Sequence, residues 1–335
     1  MTSEPVDLPL GVFVGLATLD VVHRVSRPPG SNEKVTALRQ DVAAGGPAAV
    51  AAVVFAALGG HARLVTVLGS SAVARIIRAE LESRGVEVVD VAPDSPTPPA
   101  VSAVTVTDAT GERSVTSMDA AAHDVAAPTD LARHLAGALV VLLDGHHPRL
   151  ALAAARLARP TRSHRSDGSA RSARSDRETS PEEDERPVVV LDAGRWRATT
   201  AQLLAHVDVA ICSADFRAPG TSDAVASAVA VLEAGAGGVA TTQGGDPVRW
   251  WRAAASGAIE SGIIAVPQVA VVDTLGAGDA FHGAFAWFVI QRSLDDDGAD
   301  VRRALDSAAR VAAFRCTVRG PRAWLDALTS GVGSA

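Results

Sequence analysis

The stretch Val271-Val272-Asp273-Thr274-Leu275-Gly276-Ala277-Gly278-Asp279-Ala280-Phe281 decides how this chain is read. A short β-branched run enters a glycine-rich turn, and an alanine- and aromatic-rich segment follows that predicts a helix over 277–291. Glycines at 276 and 278 let the backbone approach a ligand closely and aim successive N–H groups one way. The helix start adds its positive dipole end and its unpaired donors. Such a place stabilises negative charge on a transferring phosphoryl group, with Gly276, Ala277 and Gly278 as the anion hole. Asp279, in the first helical turn, is placed to take the proton of an attacking hydroxyl. This is not a Walker loop, because the Gly-Lys-Ser/Thr ending is missing and no lysine lies near. A GxGD taken alone reads more simply as a structural turn with a capping aspartate; the eleven-residue context favours a site.

Working outward, short apolar runs alternate with helical stretches, the pattern of a mostly parallel sheet between helices, an α/β fold. Core strands are expected at 11–16, 62–68, 86–91, 138–143, 188–192, 207–212 and 238–242. Pro47 opens an alanine-rich helix after Gly45-Gly46, and Gly59-Gly60 closes it. A helix at 72–84, stopped by Gly85, and late helices at 301–316 and 321–328 complete the core. Two alternating runs, 101–107 and 113–118, flank Ala109-Thr110-Gly111 and read as a hairpin. With 21–25 and 35–42 they predict a small separate sheet projecting from the core.

Residues 160–187, PTRSHRSDGSARSARSDRETSPEEDERP, break the rhythm. Almost nothing there is apolar, so the segment cannot offset the entropy of ordering and reads as a disordered surface insertion. The chain of 335 residues is 47% hydrophobic and 21% charged, an ordinary globular balance. No apolar run reaches the roughly 20 residues of a membrane span, and the start MTSEPVDLPLGVFVGL has no basic region ahead of its short apolar stretch, as a secretory signal would. A formal charge of −7 argues against a general nucleic-acid binder. Cys212 and Cys316, the only cysteines, cannot build a disulfide framework and read as small buried hydrophobes in a cytoplasmic protein.

DTLGAGDAFHGAFAW (273–287) resembles the C-terminal signature of the ribokinase/PfkB carbohydrate kinase family. Gly45-Gly46-Pro47-Ala48-Ala49 with its helix resembles the family's N-terminal double-glycine signature. Asp20 matches the acid that holds sugar hydroxyls, Thr97 with Gly111-Glu112-Arg113 the lid hairpin, and Thr241-Thr242-Gln243-Gly244 a nucleotide-contacting turn. The likeness runs from about residue 11 to 330, with lid elements near 20–44 and 98–120. Within the family, GGPAA, Thr-Gln-Gly and Phe314-Arg315-Cys316-Thr317 look closest to the ketohexokinase and sulfofructose kinase branch. The resemblance implies a ribokinase-like three-layer core with about nine strands and a β-lid. It implies Mg2+ with ATP as donor, a sugar acceptor, Asp279 as base, sugar contacts at Asp20, Gly45, Gly46 and His146, and ATP contacts at Thr242, Gly244 and Thr274. It suggests a monovalent cation such as K+ near Asp273, and a homodimer through the lid.

Several positions depart from the family pattern. Val50 stands where an Asn commonly contacts sugar, and Gly69-Ser70-Ser71 where Gly-Asp-Asp is usual. The Asn-x-x-Glu that organises Mg2+ aligns with Ser213-Ala214-Asp215-Phe216, which leaves Asp215 as the carboxylate for the metal. His282, three residues after Asp279, reads as packing or capping rather than proton transfer. Arg195, past the strand at 188–192, is a candidate anion contact or a surface residue. Trp250-Trp251 alternates into a strand as core and edge. A ketohexose kinase is the leading expectation; a nucleoside kinase and a ligand-binding pseudokinase are the alternatives.

Overall fold

The structure, a computed structural model, describes residues 8–118, 125–159, 186–254, 256–291 and 299–331. The strands are β1 (Leu10–Val14), β2 (Thr18–Val25), β3 (Arg39–Gly45), β4 (His61–Thr66), β5 (Val86–Asp90), β6 (Val101–Thr107), β7 (Arg113–Thr116), β8 (Val140–Leu143), β9 (Val188–Ala193), β10 (Val209–Cys212), β11 (Gly238–Gln243), β12 (Asp246–Ala253) and β13 (Ile259–Ile264). The helices are α1 (Pro47–Ala57), α2 (Ala72–Ser83), α3 (Leu131–Leu135), α4 (Pro148–Ala158), α5 (Thr200–Leu204), α6 (Ala224–Glu233), α7 (Ala277–Val289), α8 (Ala299–Arg315) and α9 (Ala323–Gly331).

Nine strands form one sheet in the order β13-β12-β11-β10-β9-β8-β1-β4-β5. All neighbours from β11 to β5 pair in parallel, and β12 and β13 extend that edge antiparallel. The period-two alternation of a strand sends successive side chains to opposite faces. On β1, Phe13 joins a core with α1, α2, α7, α8 and α9, while Val12 and Val14 join a second core with α3, α4, α5 and α6. The result is three layers, helices on both faces of the sheet, as the sequence predicts. Strand β13, paired antiparallel with the Trp250-Trp251 strand β12, is the main addition to the expected strands. Trp250 and Trp251 sit on β12, and Trp251 is buried in the second core.

The remaining strands make a separate four-stranded sheet, order β3-β2-β6-β7. It begins directly after β1, because only the short turn at 15–17 separates β1 from β2. Its own core is small: Val22, Val104 and Val106, with Leu275 of the glycine-rich loop packed on them. The strand expected at 35–42 is found at 39–45. The last helix begins at Ala323 rather than Pro321.

No helix among the described residues is long and apolar enough to cross a membrane. The Ser/Arg-rich insertion lies, at 160–185, outside the described residues. Its flanks converge: the guanidiniums of Arg159 and Arg186 lie 2.6 and 3.3 Å from the same Asp208 oxygen. Loop-closure cost changes only slowly with length. Replacing residues 162–185 by a short Gly/Ser bridge is therefore expected to leave the melting temperature and the catalytic rate nearly unchanged. A drop of many degrees on heating would show that the segment packs on the core.

Candidate active site

Between β1 and β8 the chain changes direction across the sheet, since β4 continues to one side of β1 and β8 to the other. Such switch points open a crevice at the carboxyl ends of the strands, where α/β folds bind ligands. Gly15 follows β1 there, and a Cβ on it would meet the Asp144 carboxylate at 2.2 Å. Asp144 follows β8. Its carboxylate accepts the N–H groups of Leu16 (2.8 Å), Ala48 (3.2 Å) and His146 (2.9 Å). One buried acid thus ties the first turn, the start of α1 and the loop after β8 into a rigid floor. Nothing in the sequence reading pointed to Asp144; its signal was a lone acid just past a strand end.

Asp20 lies on β2 of the small sheet. Thr18 Oγ1 donates to it at 2.7 Å. Gly45 makes room for it, because a Cβ there would lie 2.1 Å from Asp20 Oδ2. Burial raises the proton affinity of Asp20, against the lowering effect of the Thr18 bond.

Asp279 sits in the first turn of α7 behind Gly276, which is in the left-handed region at φ 72°. That conformation costs a side-chain-bearing residue about 1 kcal/mol or more, and glycine adopts it freely. The N–H groups of Gly276, Gly278 and Asp279 have no protein acceptor among the described residues, as the first donors of a helix do. Burial, and then the Asp192 charge, push the Asp279 carboxyl up to about 7. Donor atoms of Asp192, Asp279 and His282 all lie within 4.8 Å of one another. Asp192, from β9, is pushed up to about 8 by burial and by Asp144. His282 is 6% exposed, and its burial lowers its proton affinity.

Other expected residues fall differently. The His146 ring faces the Arg197 guanidinium, 3.0 Å from Nη2 to Nε2. Arg195 is exposed and Arg197, two residues on, turns inward instead. Asp215 is exposed in the loop after β10. Thr242 ends β11, and Gly244 forms the turn to β12 at φ 56°, where a Cβ would meet nothing within 4 Å. The Thr274 hydroxyl is taken by the small sheet: it donates to the Gly111 carbonyl (3.1 Å), and Arg113 Nη1 donates to it at 3.3 Å. Cys212 is buried, whereas Cys316 is only half-buried.

Asp273 departs furthest from expectation. Its carboxylate faces two guanidiniums, Arg24 at 2.8 Å and Arg315 at 3.6 Å. It also accepts the N–H of Leu275 and of Gly320, each at 3.0 Å. With two fixed cations already against it, the side chain is an ion-pair hub and not an open cation ligand. A monovalent ion at this loop would have to rely on backbone carbonyls.

The sequence matches the pfkB family carbohydrate kinase model over residues 10–328. The chain belongs to the pfkB family of carbohydrate kinases. A comparison with curated proteins finds no match. Among solved structures, a ribokinase from Giardia lamblia is similar with TM-score 0.74 at 17% identity, covering 96% of this chain and 99% of that one. An Arabidopsis thaliana ribokinase complexed with ribose and ATP gives TM-score 0.63 at 21% identity, covering 96% and 98%. An aminoimidazole riboside kinase from Salmonella enterica, complexed with aminoimidazole riboside and an ATP analogue, gives 0.66 at 20%, covering 96% and 99%. As a pfkB kinase the chain is a phosphotransferase acting on a sugar hydroxyl, with a ribokinase-like fold.

Two outcomes follow from the charges. Removing Asp273 as Asp273→Ala leaves Arg315 buried without its anion and Arg24 with only the more distant Asp108 at 3.4 Å, and breaking a buried pair typically costs about 3–5 kcal/mol. Urea unfolding should show a loss of that size. Asp279 binds its proton more tightly folded than at its ordinary 3.8, so its stabilising contribution is full below that pH and is lost as pH rises through about 7. Asp279→Asn should therefore be more stable than the unmodified protein at pH 8, by a gap that closes towards pH 4. A gap independent of pH would show that Asp279 does not carry the shift.

Proposed function

We propose that this kinase transfers the γ-phosphate of ATP to a primary hydroxyl of a ketohexose or a closely related sugar, with Asp279 as general base. The observation that carries this reading is the half-buried Asp279 carboxyl, pushed up to about 7 and set beside the unpaired N–H groups of Gly276 and Gly278. A base with pKa near the working pH combines a useful ionised fraction with a strong pull on the proton. The same N–H groups and the helix dipole face charge that grows on the transferring phosphoryl oxygens. The sugar half of the crevice is supplied by Asp20, Gly45, Gly46 and His146, and the nucleotide half by Thr242 and Gly244 at the open turn after β11.

ATP as donor is supported by the ATP-bound Arabidopsis neighbour, and Mg2+ is the cation that phosphoryl transfer from ATP calls for. Mg2+ keeps most of its ligands as phosphate oxygens and water and asks for one or two protein carboxylates; the exposed Asp215 fits that modest demand. When bound, the metal would supply positive charge against the phosphate oxygens, with Asp215 as the protein carboxylate that would hold it. The ketose assignment is supported by the sequence details GGPAA, Thr-Gln-Gly and 314–317 alone. The Salmonella neighbour complexed with a riboside makes nucleosides the second acceptor class to try. A lid role for the small sheet is supported by its contacts with the glycine-rich loop. Exposed Val42, Val101 and Val115 on the same sheet support a homodimer through it. A cytoplasmic location fits the cysteine usage.

ADP release with Mg-ATP over a panel of ketoses, aldoses and nucleosides tests the substrate class. Fructose-like ketoses should outcompete ribose and adenosine; adenosine as best acceptor would remove the ketose reading and leave the phosphotransferase. Asp279→Asn should lose about 10²–10⁴-fold in turnover while ATP still binds, and a variant with near-normal turnover would overturn the base assignment. Asp20→Ala should raise KM for sugar strongly with KM for ATP little moved, on the scale of lost charge-assisted hydrogen bonds.

A further inference from the structure

The site holds a second acid that the phosphotransfer scheme does not use. Asp192 is the penultimate residue of β9, the strand beside β8, with its side chain 10% exposed. One carboxylate oxygen lies 3.4 Å from His282 Nδ1. His282 is on α7, three residues after Asp279, so the two side chains share a helix face. The donor atoms of all three groups fall within 4.8 Å of each other. The ring also meets the backbone at Gly278 and Ile211, and its polar side-chain neighbours at close range are Asp192 and Asp279.

We propose that Asp192 and His282 are positioning residues for the general base: Asp192 holds the His282 ring through Nδ1–H, and together they fix the Asp279 carboxylate and its protonation. This inference rests on the base assignment above. Two carboxylates this close cannot both ionise freely, so they titrate as a pair sharing a proton. The groups that face Asp279 come from several elements: Asp192 from β9, His282 from its own helix, Arg113 from β7 and Asp20 from β2. Arg197 and Asp144 face Asp192 from behind. Arg113 and His282 favour the ionised base, and Asp192 and Asp20 oppose it, so removing Asp192 alone must move the balance in one direction.

The test is the pH profile of kcat/KM for the best acceptor, with a substrate-free companion. In Asp192→Asn the acid limb should move to lower pH by about one unit, because the like charge that raises Asp279 is gone. The plateau should fall, since the base is weaker and less well held, and Asp192→Glu should restore part of both. An acid limb that stays in place in Asp192→Asn, with only the melting temperature changed, overturns the proposal and leaves Asp192 a packing residue. Nitrogen-15 NMR of the imidazoles needs no substrate: His282 should be the Nδ1–H tautomer and should change in Asp192→Ala. An Nε2–H tautomer indifferent to that substitution also overturns it. Failure of the underlying reading looks different, because Asp279→Asn would then keep its turnover whatever Asp192 does.

Discussion

The buried carboxylate of Asp273 is the point on which the rest of this molecule hangs. It is 1% exposed and collects contacts from four separate parts of the chain. Arg24 comes from the small sheet, Arg315 from the end of α8, Gly320 from the segment before α9, and Leu275 from the glycine-rich turn itself. A lone buried anion would be untenable, and a lone buried guanidinium equally so. Each therefore enforces the presence of the other, and the loop that presents Gly276 to Gly278 is fixed before any ligand arrives. Preorganised donors of this kind need not reorganise as charge develops on a phosphoryl group, which is the physical source of their catalytic value.

The same logic repeats in the floor of the crevice with opposite emphasis. Asp144 accepts three backbone donors and is structural. Asp20, Asp192 and Asp279 have fewer partners, and burial shifts each toward its protonated form. A cluster of poorly compensated carboxyls opposes folding, and its presence is the mark of a site where stability has yielded to chemistry. Neighbouring sugar hydroxyls are the complement it lacks, because each hydroxyl can donate to an acid that has only acceptor capacity.

Much of this was legible in the sequence because the signals were local. The helix over 277–291, the double glycine followed by Pro47, and the hairpin around Gly111 each rest on the conformational demands of a few adjacent residues, and each stands where the pattern puts it. The position of Asp279 in the first turn of that helix was legible for the same reason. Asp144, Asp192 and Arg197 were not, since a single acid or arginine after a hydrophobic strand acquires meaning only when the strand order brings several ends together. The true partners of Asp273 were hidden by the same cause: Arg24 lies 249 residues away along the chain. Asp20 lies on the small sheet because the turn at 15–17 is all that separates β1 from β2, too short a signal in sequence to show that the chain leaves one sheet for another.

That short turn has a mechanical consequence. Strand β2 carries Asp20, Val22 and Arg24 at alternating positions, so all three point to one face. Asp20 reaches the crevice floor, Val22 packs with Val104, Val106 and Leu275, and Arg24 ends on Asp273. The acid expected to meet the sugar and the cation that grips the catalytic loop are thus spaced by one rigid strand. Arg113 and Gly111, at the hairpin tip of the same sheet, close on Thr274 from the other side. The small sheet cannot tilt away from the core without drawing Asp20 out of the crevice and loosening the glycine-rich turn together. In the proposed scheme, recognition of the acceptor and assembly of the anion hole are therefore coupled, because one strand carries both Asp20 and Arg24.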